Sequence, residues 1–518
     1  MNARFFHALL TACAAVALVA LPTAAPAQRQ PASVETAVRS AAREDRDLAR
    51  FYAARGNRPL WIENGMLVPA AGELIDLLMS AEADGLDPED YRPRQLARTL
   101  DAAAERGAPA ALARAELALS RTLADYVRDT RRSRDVGMVY TEAHLRPVVP
   151  TREAVLVMAA AAPDLARYVG GLGWMNPLYV RLRSVLASTP GEVDGRALPP
   201  VPAGPIMRPG TDDPRVAALR ERLGLDPFGD YDEDVAAAVR ELQRANGLPV
   251  DGLAGPLTVA LLNRDTRSHR QLVRLNLERA RALPSQLGRR YVLVDAAAAR
   301  LWMMEDGEVA GTMRVVVGKP AEPTPQMAAM IRYVTLNPYW NVPPDLVRSR
   351  ILPGIRKDGI GYLKAKRYEI LSDWTENASR VDPATVDWDA VASGKQELRV
   401  RELPGAGNSM GRMKFMFPND LGVYLHDTPE RALMRGEERM FSAGCVRLED
   451  APRLARWLFG TAPKPRGNAP EQRVDLAEPV PVYLTYMTAA PEPSGVAIRP
   501  DVYGRDRQQL ASLRLDKR

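Results

Sequence analysis

The chain reads VYLHD at Val423–Asp427 and MFSAGCVR at Met440–Arg447. The first run has the β-branched and aromatic composition of a strand, which ends at His426. The second places Cys445 directly after a small residue and a glycine, and such a turn lets backbone N–H groups approach a substrate closely. These two stretches predict a thiol and an imidazole at the rim of a β-sheet.

A thiol and an imidazole form a known catalytic combination. A free thiol has a pKa of about 8.5, so most of it is protonated near neutral pH and it needs a base within hydrogen-bond reach. Histidine titrates near neutrality and is the natural base. Neither residue is informative alone, because isolated cysteines are often buried and inert. Together they predict Cys445 as a nucleophile and His426 as its base.

The small number of reactive side chains strengthens this prediction. The 518 residues include two cysteines and four histidines, with a formal net charge of +6. The charge surplus is too small to indicate a nucleic-acid partner. Two cysteines exclude a disulfide framework and a Cys-rich zinc module, and no H-E-x-x-H motif is present. We therefore predict no metal and no cofactor.

Residues 1–27 have the features of a secretory signal peptide. Arg4 supplies the positive start, an apolar run follows, and Ala25–Ala27 is an A-x-A cleavage site. A lipoprotein signal ending at Cys13 is the alternative, but the apolar run continues well past that residue. No later segment offers twenty apolar residues. We expect an exported protein of the periplasm or cell envelope, soluble or only peripherally attached to the membrane.

After cleavage, Cys445 would be the only thiol left. The remaining imidazoles are His144, His269 and His426, and the first two lie in helical regions with no catalytic partner.

The rest of the chain divides by composition and periodicity into a multidomain α+β protein. Apolar residues recur at helical spacing before the linker, and the period changes from 3.6 to 2 near Arg290. A polar insertion interrupts the β region, and long insertions in compact domains are often lids. The predicted segments are a helical scaffold domain (28–187), a Pro-rich linker (188–210), a three-helix module (211–263), a linker helix (264–289), a mostly β catalytic domain (290–488) with its lid insertion (about 351–411), and a C-terminal tail (489–518).

The three-helix module carries a recognisable series of residues. An Asp-Asp-Pro sequence can cap its first helix, and Asp251-Gly252 forms a turn. The spacing of these and other positions resembles the peptidoglycan-binding domain family, although an unrelated small helical bundle is the alternative. The positions that carry the resemblance are Tyr231-Asp232, Ala238-Val239, Gln243, Gly247-Leu248, Asp251-Gly252, Gly255 and Thr258.

Two other motifs point to different chemistry. Gly407–Gly411 fits G-x-S-x-G, but the serine-hydrolase elbow needs a preceding strand and a following helix, and here a loop enters a strand. Gly318-Lys319 lacks the upstream glycine and the following Ser/Thr of a phosphate-binding loop. Neither motif is expected to be functional.

The region around the cysteine resembles the YkuD family of L,D-transpeptidase catalytic domains. That family has a histidine, a gap, and then Ser/Thr-His-Gly-Cys, an apolar residue and Asn or Arg. Ser442–Arg447 matches this pattern except at Ala443, where many members have a second histidine. The departure leaves open which group orients His426, and a backbone carbonyl is one candidate.

The resemblance extends to most of the chain. The order of signal peptide, scaffold, peptidoglycan-binding module, linker helix and lidded catalytic domain is similar to that of the large YcbB-type members. Further similar positions are Phe51-Tyr52, Trp61, Asp84–Leu86, Tyr91, Leu275–Arg279, Val317–Pro320, Thr324-Pro325 and Asn337–Pro343.

The resemblance implies a function in cell wall biogenesis. It implies that Cys445 attacks a peptidoglycan stem peptide, forms a thioester and passes the acyl group to a second stem as a 3-3 cross-link. It also implies peptidoglycan stems and glycan as partners, and possible contact with other cell-wall synthesis proteins. Gly444 and Cys445 are the expected oxyanion donors, and Ser442, Arg447 and Tyr424 are candidate substrate contacts. The alternatives are an L,D-carboxypeptidase or exchange enzyme with the same dyad, and a non-catalytic wall-binding protein.

Overall fold

A computed structural model describes residues 33–515, except for 189–199, 203, 246–247, 264–265, 437 and 493–494. The predicted signal peptide, residues 1–27, and much of the predicted linker lie outside the described residues. Among those that are described, no helix is both long enough and apolar enough to cross a membrane.

The N-terminal region is a helical bundle around an apolar core of leucine, alanine and aromatic side chains. Its longest helix, Pro109–Arg131, buries one face along its whole length, as the spacing of its leucines predicts. A short hairpin lies between two of the helices, and a third strand pairs with the sheet of the β domain. The helices are α1 Val34–Ala41, α2 Arg46–Ala54, α3 Ala70–Met79, α4 Pro93–Arg106, α5 Pro109–Arg131, α6 Arg152–Ala161, α7 Leu165–Gly170 and α8 Pro177–Ser188, and the strands are β1 Ile62–Glu63, β2 Met66–Leu67 and β3 Met138–Tyr140.

The second unit contains three short helices, α9 Val216–Arg222, α10 Glu233–Ala245 and α11 Pro256–Leu262. The buried Gln243 side chain holds the turn between the last two. Its amide donates to the Asp251 carboxylate at 2.8 Å and its oxygen accepts from the Gly252 N–H at 2.9 Å. These residues are therefore determinants of the fold. The next helix, α12 Thr266–Arg281, leads to the β domain.

The β domain is built on one large sheet whose strand order is β12-β13-β15-β6-β5-β4-β16-β7-β3. Because β12 also pairs with β7, the strands close on themselves around an apolar core. Its strands are β4 Arg290–Asp295, β5 Arg300–Glu305, β6 Glu308–Gly318, β7 Gln326–Leu336, β12 Met413–Met416, β13 Leu425–His426, β14 Met440–Ser442, β15 Val446–Leu448 and β16 Gln472–Thr485, and helix α17 Ala451–Phe459 packs on the core.

The insertion folds as a separate four-stranded sheet with its own apolar core. It begins earlier than the predicted residue 351, because Trp340–Val342 already pairs with Glu402–Val400 in this sheet. Its elements are β8 Trp340–Val342, α13 Pro344–Leu346, a π-helical turn Val347–Ile351, α14 Leu352–Asp358, α15 Gly361–Ala365, β9 Tyr368–Leu371, β10 Arg380–Val381, α16 Trp388–Ala392 and β11 Arg399–Glu402. We call residues 340–411 the lid subdomain.

Two features differ from the sequence analysis. The predicted C-terminal tail instead forms a hairpin, β17 Ala489–Glu492 with β18 Gly495–Ile498, followed by helix α18 Arg505–Leu515. The Arg279 guanidinium of α12 bonds the Asp506 carboxylate of this segment at 2.7 Å. Strand β3 of the helical bundle also extends the catalytic sheet by pairing with β7. The predicted multidomain α+β class is confirmed.

Candidate active site

Strand pairing places the predicted nucleophile and base on the same face of the sheet. Strand β13 runs parallel to β15, with Leu425 opposite Val446 and His426 opposite Arg447. Alternate side chains of a strand face the same side of a sheet. Leu425 and Val446 lie in the apolar core, so His426 and Arg447 face the opposite side of the sheet. Cys445 is two positions before Arg447 and therefore lies on the same face as Arg447 and His426. The Cys445 sulfur lies 3.6 Å from the Gly422 carbonyl oxygen.

The backbone of the next residue orients the His426 ring. Its Nδ1 lies 2.6 Å from the Asp427 carbonyl oxygen. A carbonyl can only accept, so Nδ1 carries the proton and Nε2 keeps its lone pair. The second histidine that Ala443 replaces is therefore not needed to fix the tautomer.

Asp427 is itself held firmly. Its carboxylate accepts from the Arg412 N–H at 2.9 Å and from the Arg431 guanidinium at 2.7 Å. Gly411 packs so closely that an added Cβ would lie 2.5 Å from the Asp427 carboxyl carbon. This explains the last glycine of the G-x-S-x-G match. Ser409 of that match lies in a loop, with its N–H bonded to Glu402.

The cysteine turn is shaped by a glycine and a serine. Gly444 has φ +99°, a left-handed conformation that side chains disfavour. The Ser442 hydroxyl donates to the Cys445 carbonyl at 2.5 Å. Ser442 is buried, and the backbone of the turn is the partner of its hydroxyl. Among the described residues, none accepts a hydrogen bond from the N–H groups of Gly444 and Cys445.

The electrostatic environment keeps the pair neutral at rest. Burial lowers the pKa of His426 to about 3, with a further contribution from Arg447. Burial raises the pKa of the Cys445 thiol, and the Tyr424 N–H, Lys414 and Arg447 act in the opposite direction. Near neutral pH Cys445 is therefore a thiol and His426 an unprotonated imidazole, which is the state from which a histidine can accept a proton.

Sequence reasoning missed Lys414. It lies on β12 directly opposite His426, and its Nζ is 4.0 Å from the centre of the Tyr424 ring. Burial lowers its pKa, and the nearby Glu471 and Cys445 act in the opposite direction. The sequence around Lys414 does not indicate a site residue, because a lysine between buried residues is common in short strands. Its position opposite His426 is known only from the register of the sheet.

The remaining predicted residues border the same face. The rings of Tyr424 and His426 meet edge to face with centroids 6.0 Å apart. The Arg447 guanidinium forms an ion pair with Glu430, which is mostly exposed. Tyr424 and Ala443 also pack against the core of the lid subdomain. His144 lies elsewhere, exposed beside Glu142.

Family models match three parts of the chain. Residues 289–480 match the L,D-transpeptidase catalytic domain named YkuD, and residues 46–186 match a scaffold domain. Residues 217–262 match the family described as "Putative peptidoglycan binding domain".

The chain is similar in sequence or structure to proteins that are named L,D-transpeptidases. A Haemophilus influenzae protein named "Putative L,D-transpeptidase" is 32% identical over 254 residues, which is 48% of this chain and 50% of that protein. The chain thus spans about half the length of this relative. An L,D-transpeptidase structure from Xylanimonas cellulosilytica is 18% identical, covers 55% of this chain and 98% of its own, and has a TM-score of 0.19. One from Mycobacterium smegmatis is 16% identical over 38% of this chain and 58% of its own, also at 0.19.

Proposed function

Because this chain carries a YkuD-family L,D-transpeptidase catalytic domain together with a peptidoglycan-binding domain, we propose that it is a cysteine transpeptidase that forms 3-3 cross-links between peptidoglycan stem peptides. The observation that carries the proposal is the shared face of Cys445 and His426, with the His426 Nδ1 bonded to the Asp427 carbonyl. Both domains act on the wall, so the protein works in the cell envelope, exported by its signal peptide.

In the first half-reaction, His426 Nε2 takes the proton of Cys445 as the sulfur attacks the carbonyl carbon of the third stem residue, the L-centre of diaminopimelate. The N–H groups of Gly444 and Cys445 stabilise the oxyanion, and one such donor contributes about 10²–10³ in rate. The imidazolium then protonates the leaving nitrogen as the C–N bond breaks. D-Ala leaves and a thioester remains on Cys445.

In the second half-reaction, the side-chain amine of another stem attacks the thioester. His426 accepts the proton of that amine and returns one to the sulfur as the C–S bond breaks. Water can replace the amine and would give a carboxypeptidase product. The lid subdomain packs against Tyr424 and Ala443, beside the sulfur, and limits the access of water to the thioester.

The test is incubation of the purified protein with disaccharide tetrapeptides, followed by mass spectrometry of the products. We expect release of D-Ala and a dimer, and a thioester adduct that is trapped at short times. Cys445→Ala should lose both activities, while His144→Ala, which removes an exposed imidazole beside Glu142, should retain them. A full yield of dimer from Cys445→Ala would contradict the proposal, and free tripeptide without dimer would favour the carboxypeptidase.

A further inference from the structure

The oxyanion donors need to be aimed, and the structure shows what holds one of them. The buried Thr324 lies in the loop between β6 and β7, 120 positions before the cysteine turn. Its hydroxyl donates to the Gly444 carbonyl oxygen at 2.8 Å and accepts from the Gly318 N–H at 2.9 Å. Because the Thr324 oxygen accepts a hydrogen bond from the Gly318 N–H, its single proton is donated to the Gly444 carbonyl. The direction of both hydrogen bonds is therefore fixed.

The bond to Gly444 also determines where the Cys445 N–H points. The Gly444 carbonyl and the Cys445 N–H belong to one planar trans peptide, in which the two groups point in opposite directions. A bond that holds the carbonyl therefore holds the N–H. The next peptide is held in the same way, because the Ser442 hydroxyl donates to the Cys445 carbonyl at 2.5 Å.

The loop that carries Thr324 can form only with glycine at its start. A Cβ on Gly318 would lie 2.2 Å from the Glu322 carbonyl oxygen and 2.5 Å from the Thr324 nitrogen. The loop thus folds back tightly on the end of β6. This close approach is what brings the Thr324 hydroxyl to the cysteine turn.

The C-terminal segment supports the same loop from its other side. The Tyr503 hydroxyl donates to the Gly318 carbonyl at 2.8 Å, and the Arg505 guanidinium donates to the Thr324 carbonyl at 3.1 Å. Tyr503 is stacked on Tyr486, with ring centroids 4.8 Å apart. Residues that follow the catalytic strands are therefore linked, through Thr324, to the turn that precedes Cys445.

We propose that Thr324 is a positioning residue that aims the Cys445 N–H at the developing oxyanion, and that Tyr503 and Arg505 brace it. This inference rests on the proposed acyl transfer. It predicts that Thr324 matters for reactions that pass through a tetrahedral oxyanion and not for reactions of the sulfur that form none.

Two reagents separate these cases. A carbapenem acylates a thiol by attack on the lactam carbonyl, with opening of the C–N bond and protonation of the nitrogen, and this needs the oxyanion donors. Iodoacetamide is attacked at carbon with loss of iodide, and no oxyanion forms. We expect Thr324→Val to slow acylation by up to about 10²-fold while alkylation changes little. Thr324→Ser should restore most of the acylation rate.

The full-length protein is used, and mass spectrometry measures both rates. Thr312→Val is the matched control, because the Thr312 hydroxyl on β6 donates to the Leu301 carbonyl, away from the turn. Tyr503→Phe should also lower the rate of acylation while the rate of alkylation changes little. This variant replaces Thr324→Val in the test if Thr324→Val fails to fold. Wild-type acylation in Thr324→Val, or an equal loss of both reactions, would overturn the inference. A wild-type protein that is alkylated but never acylated would instead overturn the proposed function.

Discussion

At Cys445, burial and neighbouring charge act on the thiol in opposite directions. Burial favours the protonated form, while the Lys414 and Arg447 cations favour the thiolate. His426 is surrounded by the same cations, and both lower its pKa further. The two cations thus stabilise the thiolate, and they also make the unprotonated imidazole a weaker base.

Replacing Lys414 should make the thiol harder to ionise. Because its ammonium group stabilises the thiolate, Lys414→Met should move the pH dependence of iodoacetamide alkylation upward by about one unit. Alkylation rates between pH 6 and pH 11, followed by mass spectrometry, would measure this. Lys414→Arg keeps the charge and should stay close to the wild-type curve. Overlapping curves for all three proteins would contradict this role of Lys414.

At the scale of elements, the lid subdomain is a folded unit and not a loose loop. Its strands pair in a sheet that is separate from the catalytic sheet, and its apolar side chains form a separate core. Ile370 on β9 lies opposite Val400 on β11 in the middle of that core. The backbone pairing of the strands that hold Cys445 is therefore separate from the lid sheet, while Tyr424 and Ala443 still pack against the lid core.

Weakening this core should change the fate of the acyl-enzyme. Ile370→Ala removes buried methyl groups and should cost about 2–5 kcal/mol in the local stability of the lid subdomain. We expect more hydrolysis relative to transfer, measured as the ratio of tripeptide to dimer. Val309→Ala is the control, since Val309 is exposed on β6. An unchanged ratio together with faster hydrogen exchange in the lid would show that the lid does not shield the thioester.

At the scale of the whole molecule, a buried polar network joins the helical bundle to the helix that enters the β domain. The Asp84 carboxylate accepts from the hydroxyls of Tyr126 and Tyr179, both at 2.7 Å, and from Arg183 at 2.9 Å. The backbone carbonyl of Asp84 accepts from Arg281 of α12 at 2.5 Å. The carboxylate thus ties α5 to α8 within the scaffold, and the Tyr179 hydroxyl, which also accepts from Arg281 at 3.1 Å, links this cluster to α12.

Loss of that carboxylate should be costly. Asp84→Ala leaves Arg183 and two hydroxyls without their acceptor, and the unfolding free energy should fall by about 3–5 kcal/mol. Glu153→Ala, which removes an exposed ion pair with Arg50, should change it by no more than about 1 kcal/mol. Denaturant unfolding compares the two variants. Equal stabilities would mean that the buried Asp84 carboxylate contributes no more than an exposed one.

Several features of the protein could be predicted from local sequence. The Ser-x-Gly-Cys turn, the strand ending at His426 and the series from Tyr231 to Thr258 are set by neighbouring residues, through turn chemistry and periodicity. The α+β class and the Cys445–His426 pair followed from them. All the site residues, including that pair, remain predictions.

The tertiary structure alone decided what supports the pair. Thr324 and Gly444 are 120 positions apart, and Lys414 meets His426 only through the β12–β13 register. The sequence of the C-terminal segment has no periodicity from which its hydrogen bonds to Gly318 and Thr324 could be predicted. Periodicity and turn residues report each segment's own conformation, whereas the order in which strands pair depends on contacts between distant segments.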